Sequence, residues 1–124
     1  MVANYDVLIF AIPSAFVTSE LDKLNLSLEG KTIFSAIKGI IPETGLIVGE
    51  HFNKKYNIPL ENIGVITGPC HAEEVAMERL SYLTIACIDS EKAKLMSKAL
   101  ESWYIKTKIS LIFLHGGLEH KLRL

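Results

Sequence analysis

No stretch of this sequence approaches the roughly 18 unbroken apolar residues of a membrane span. Its beginning lacks a basic segment leading into an apolar run and a small-residue cleavage site. Basic charge is just as scarce: 13 Lys and Arg are scattered among 14 Asp and Glu, for a formal net charge of -1. Without a basic stripe the electrostatic footprint that nucleic-acid binding requires is missing, so neither nucleic acid nor membrane is expected as a partner. Cysteine is limited to Cys70 and Cys87, with no CxxC or paired-ligand spacing. That argues against a disulfide framework and against a structural metal site, and it fits a reducing, cytoplasmic setting. Linkers, low-complexity tracts and internal repeats are absent as well. What remains is 124 residues, 49% of them hydrophobic, enough to bury one modest core.

The apolar residues come in two rhythms. The run from Tyr5 to Ile12 is short, continuous, rich in β-formers and stopped by Pro13, which predicts a strand buried on both faces, as in a parallel sheet. Between Ser14 and Leu28, Phe16, Val17, Leu21 and Leu24 fall at mostly helical spacing, and Gly30 closes the unit. The alternation continues with a strand over Lys31 to Ile37, a helix from about Leu46 to Tyr56, and a strand over Asn62 to Thr67. A helix over His71 to Met77 and a strand over Tyr82 to Ile88 follow. Asp89 or Ser90 can cap one more helix, with Ala93, Met96, Ala99 and Leu100 on one face, before a predicted edge strand at Tyr104 to Ile109. Alternation of this kind predicts an open α/β sheet, mostly parallel, with helices on both faces.

In such sheets ligands lie beyond the carboxyl ends of the strands, so the residues after each strand carry the most functional weight. Three corners stand out: Ile12 to Phe16, Ala36 to Ile40, and Thr67 to Glu74. If their strands are parallel, all three share one rim. Pro13 and Phe16 offer a stiff apolar wall, Lys38 a cation, and Gly68-Pro69 a helix start with unpaired backbone N–H groups. Together they suit a phosphorylated ligand.

Other polar residues have plainer readings. Adjacent Cys70 and His71 could suggest a thiol nucleophile with its base, but neighbours on a helix point roughly 100° apart, which spoils direct pairing. Glu73 and Glu74 suit the first turn of a helix, where carboxylates favour the dipole. His51 and the run Asn53-Lys54-Lys55 are expected at a solvated helix end, and Met96 and Trp103 in the core. His115 and His120 do not define a metal site.

The corners, in this order and spacing, resemble the NAD(P)-dependent glycerol-3-phosphate dehydrogenases from about Asp6 through Ser110. The resemblance rests on Ala11-Ile12-Pro13-Ser14, on Ala36-Ile37-Lys38-Gly39-Ile40 with Thr44-Gly45 and Glu50 downstream, and above all on Gly68-Pro69-Cys70-His71-Ala72-Glu73-Glu74-Val75-Ala76. It implies a Rossmann-type dinucleotide-binding domain, its second half spanning residues 1–110, with NAD or NADP as cofactor. It also implies reduction of dihydroxyacetone phosphate to sn-glycerol 3-phosphate for phospholipid synthesis. By the same resemblance Lys38 contacts substrate and cofactor and carries catalytic charge, Gly68 and Cys70 border the substrate, and Pro13, Phe16 and Ala72 border the cofactor.

The sequence departs from the family in three respects. No G-x-G-x-x-G turn occurs, and Gly116-Gly117 does not supply one. Residues 111–124 are read as an atypical tail outside the resemblance. Cys70 stands where Ser is more usual, and His71 where Phe is, so a substrate contact at Cys70 would be weaker or made through its backbone. The isolated chain is therefore expected to be inactive. The alternative is a non-catalytic remnant or interaction module that self-associates through an exposed sheet edge.

Overall fold

The computed structural model describes residues 5–24, 27–68 and 72–110. Five strands, β1 (Val7–Phe10), β2 (Thr32–Ser35), β3 (Ile63–Thr67), β4 (Ser81–Cys87) and β5 (Ile105–Ser110), form one sheet in sequence order. Four helices, α1 (Val17–Asp22), α2 (Val48–Tyr56), α3 (Ala72–Ala76) and α4 (Ser90–Leu100), occupy the connections. The expected alternation of strand and helix is thus the observed one, with most ends shifted by no more than two residues. The first helix is the exception: expected from Ser14 to Leu28, it begins as a 3-10 turn at Ser14–Phe16 and continues as α1 only to Asp22.

β1, β2 and β3 run parallel, β4 turns antiparallel to β3, and β5 follows β4 in parallel. The sheet is mixed and mostly parallel. Side chains alternate across it and sort the core into two layers, because successive strand residues point to opposite faces. Ile33, Ile63, Val65 and Ala86 meet Val17 and Leu21 of α1 and Val48 and Phe52 of α2 on one face. Phe34, Ile85 and Cys87 meet Ala93 and Met96 of α4 on the other. Full burial of side chains the size of Phe52 or Ile63 contributes about 1.5–3 kcal/mol each.

Three expectations are corrected. β1 is not buried on both faces: Val7 and Ile9 are each 49% exposed. The strand is the sheet edge, hydrogen-bonded only to β2 among the described residues. Trp103 is not core but 70% exposed. It sits in the loop before β5 and packs edge-on with Tyr104, with ring centroids 5.2 Å apart. His51 is not at a solvated helix end but 1% exposed. It follows Val48 by three residues, so it shares the inward face of α2 with Val48 and Phe52.

Local chemistry explains the element ends. Asp89 caps α4, its carboxylate accepting from the N–H groups of Glu91 and Lys92. Asn57 ends α2 in the left-handed conformation. Lys31 is buried at the start of β2, where Nζ donates to the Tyr5 carbonyl at 2.6 Å and ties the entry of β1 to its neighbour. No helix among the described residues is long and apolar enough to cross a membrane.

Candidate active site at the carboxyl rim

Because β1, β2 and β3 are mutually parallel, the corners that follow them lie on one rim. The first corner is a single 3-10 turn, Ser14–Phe16, entered from an extended Pro13 and closed by the Phe16 N–H donating to the Pro13 carbonyl at 2.9 Å. Proline presets the backbone for this turn, and the turn leaves the Phe16 ring 56% exposed.

The second corner begins where the Ala36 N–H donates to the Phe10 carbonyl at 2.9 Å, which carries the β1–β2 pairing just past both strands. Ile37 turns into the core and Lys38 turns out to solvent. Lys38 forms no ion pair among the described residues. Gly39 follows with φ +94, a conformation that side chains with a Cβ resist. A Cβ on Gly39 would lie 3.5 Å from the Ser14 hydroxyl, so the first two corners are in contact. Beyond it Ile40 is exposed and Ile41 fully buried, and the Ile41 N–H donates to the Leu46 carbonyl at 2.8 Å, closing the loop on itself just before α2.

Gly68 ends β3 with φ +152. A Cβ there would come 2.5 Å from the Tyr82 carbonyl, closer than any side chain can approach. Only glycine lets the third corner leave the sheet past β4. Ala72 is exposed as the first residue of α3, and Glu73 and Glu74 occupy the first turn. Pro69, Cys70 and His71 lie outside the described residues, and with them the contact assigned to Cys70 and the pairing of Gly68 as cap with Pro69. The tail from 111, with His115 and His120, lies outside them too.

The rim therefore brings together Pro13, Phe16 and Lys38 from two touching corners, and it has Gly68 and Ala72 on the third. It also contains two residues that the sequence reading did not assign. Ser14 faces Gly39, and Tyr82, exposed at the start of β4, adjoins Gly68 because β4 runs backwards. Nothing in the local sequence announces that reversal. Beside the first corner a mostly apolar groove of about 330 Å³ runs along Leu8, Phe10, Ile12, Leu21 and Leu24, with Glu20 also in its wall.

The sequence model described as "NAD-dependent glycerol-3-phosphate dehydrogenase N-terminus" matches residues 1–116. The chain belongs to this family. Among curated relatives, a glycerol-3-phosphate dehydrogenase [NAD(P)+] of Oceanobacillus iheyensis is 34% identical over 94 residues, 75% of this chain and 27% of that protein. One from Exiguobacterium is 37% identical over 89 residues, 70% of this chain and 26% of that protein. The chain thus spans about a quarter of the length of these relatives.

Solved structures agree on the fold. The glycerol-3-phosphate dehydrogenase of Plasmodium falciparum superposes with a TM-score of 0.72 at 22% identity, covering 87% of this chain and 30% of that one. The enzyme structure from Dunaliella salina superposes with a TM-score of 0.71 at 24% identity, over 86% and 19% of the two chains. At these identities the likeness speaks for the fold alone, a mixed and mostly parallel five-stranded sheet with helices.

Proposed function

We propose that this chain supplies the second half of the dinucleotide-binding domain of a cytoplasmic glycerol-3-phosphate dehydrogenase, which reduces dihydroxyacetone phosphate to sn-glycerol 3-phosphate with NADH or NADPH. The product feeds phospholipid synthesis. The observation that carries the proposal is the convergence on one rim of an exposed lysine and an exposed phenylalanine from two corners in contact. Their chemistries are those that a phosphorylated substrate and an aromatic cofactor ring need. The nicotinamide cofactor supplies the hydride when bound. Pro13 and Phe16 form the apolar wall against it, and Ala72 borders it from the third corner. Lys38 reaches substrate and cofactor together and stabilises negative charge developing on the carbonyl oxygen. Gly68 and Cys70 flank the substrate.

No G-x-G-x-x-G turn is present in these residues to seat a pyrophosphate, so the 124 residues by themselves are expected not to oxidise NADH or NADPH with dihydroxyacetone phosphate. A chimera in which residues 5–110 replace the matching segment of the Oceanobacillus iheyensis enzyme tests the assignment. The chimera should turn over dihydroxyacetone phosphate, and Lys38→Ala within it should lower kcat/KM by about 10²–10³-fold. Robust turnover by the isolated chain, or an unchanged Lys38→Ala chimera, would overturn the reading.

The open edge at β1 favours a second reading, self-association of the isolated chain, because Val7 and Ile9 are exposed on a strand that pairs on one side only among the described residues. A monomer by size-exclusion chromatography that binds no apolar dye would rule it out.

A further inference from the structure

α2 carries an imidazole into the core, where nothing at the rim requires one. His51 is 1% exposed, and neither Nδ1 nor Nε2 has a hydrogen-bond partner among the described residues. Its ring faces Phe52 and Tyr56, with centroids 6.2 and 5.9 Å away. Its helix neighbours Val48 and Phe52 belong to the apolar cluster that includes Ile63 and Val65 of β3. Three charged groups act on it from a distance: Lys55 of its own helix, Glu43 from the loop before α2, and Asp22 at the end of α1. Two of these are paired together, since Lys55 Nζ lies 3.4 Å from Asp22, while Glu43 accepts from the Thr18 hydroxyl at 3.4 Å. Burial, and then Lys55, hold the imidazole below its ordinary pKa against the opposing pull of Glu43 and Asp22.

An imidazolium in this position would be a buried cation without an acceptor, which a folded core does not tolerate. α2 continues directly from the loop that carries Lys38, and Ile41 of that loop is buried in the same apolar cluster as Val48 and Phe52 of α2. We propose that His51 makes the docking of α2 acid-sensitive, so that protonation frees the helix and unsettles the Lys38 loop. The folded state binds the proton less readily than the unfolded chain. Stability is therefore complete above the ordinary histidine value of about 6.5 and falls as the pH drops below it.

The test is equilibrium unfolding of the whole chain between pH 8 and 5, for the parent and for His51→Leu, together with an NMR titration of the parent imidazole and amide exchange along Val48–Tyr56. The parent should lose up to about tenfold more in its folding equilibrium per pH unit below 6.5 than His51→Leu does. The imidazole should titrate below 6.5, and the α2 amides should lose protection before those of β3 and β4. An imidazole that titrates at or above 6.5 overturns the proposal, even where His51→Leu does not fold. An unchanged pH dependence in a folded His51→Leu overturns it equally.

Discussion

The ring of Phe34 occupies the space that a side chain on Gly64 would need: a Cβ at that glycine would lie 2.2 Å from Phe34 Cε1. The two residues are register partners on β2 and β3, and Phe34 is fully buried under α4. A missing side chain in one strand thus seats the largest side chain of the next, and through it the contact between sheet and helix.

Gly64→Ala should therefore destabilise the fold by about 1–3 kcal/mol, the usual cost of overpacking a core. Phe34→Leu should be less costly in the Gly64→Ala background than in the parent, with a coupling of about 0.5–3 kcal/mol in denaturant titrations. If the two changes add to within about 0.5 kcal/mol, the ring and the glycine are not in competition.

Two other glycines should respond with opposite signs. Gly39 has φ +94 and only an ordinary contact awaiting a Cβ, so Gly39→Ala should cost about 1–2 kcal/mol through backbone strain alone. Gly49 lies within α2, where a Cβ would meet Ile63 at a comfortable 3.6 Å. Gly49→Ala should gain about 0.5–1 kcal/mol from helix propensity. Thermal unfolding of the pair decides: a loss at Gly49 would mean that the α2–β3 contact is tighter than its geometry.

Element order was legible in the sequence because continuous apolar runs alternate with helical spacing, and because Pro13, Gly30 and Asp89 punctuate them. The rim was legible too, since the residues after each strand follow from the order alone. The reversal of β4 was not, because Ile63 to Val65 of β3 and Ile85 to Cys87 of β4 are buried on both faces and buried strands read alike in either direction. His51 misled for a related reason: flanked by Asn53, Lys54 and Lys55 it looks solvated, yet its three-residue spacing from Val48 decides its face. Trp103 misled in the opposite sense, since a large apolar side chain in a loop can stay exposed at little cost.

At the opposite rim, Asp89 offers a separable test of helix capping. Its Oδ1 accepts from the N–H groups of Glu91 at 3.0 Å and Lys92 at 3.3 Å. Asp89→Ala should cost about 0.5–2 kcal/mol, whereas Asp89→Asn, which keeps an accepting oxygen, should lie within a few tenths of the parent. Equal losses in the two variants would assign the effect to the carboxylate charge, whose 3.8 Å pairing with Lys92 is the alternative source.

Cys87 should be chemically silent while the chain is folded. Its thiol is fully buried beneath α4, its Sγ lies 3.8 Å from the Glu61 carbonyl, and burial raises its pKa. The thiolate is the reactive form, so burial suppresses both its formation and its encounter with reagent. In a Cys70→Ser background, which leaves one thiol, alkylation at pH 8 should be at least about tenfold slower than for a free thiol. In denaturant the rate should rise to the free-thiol value. Rapid alkylation of the folded chain would mean that α4 lifts from the sheet on the time scale of the reaction. The layer formed by Phe34, Ile85 and Met96 would then open without global unfolding.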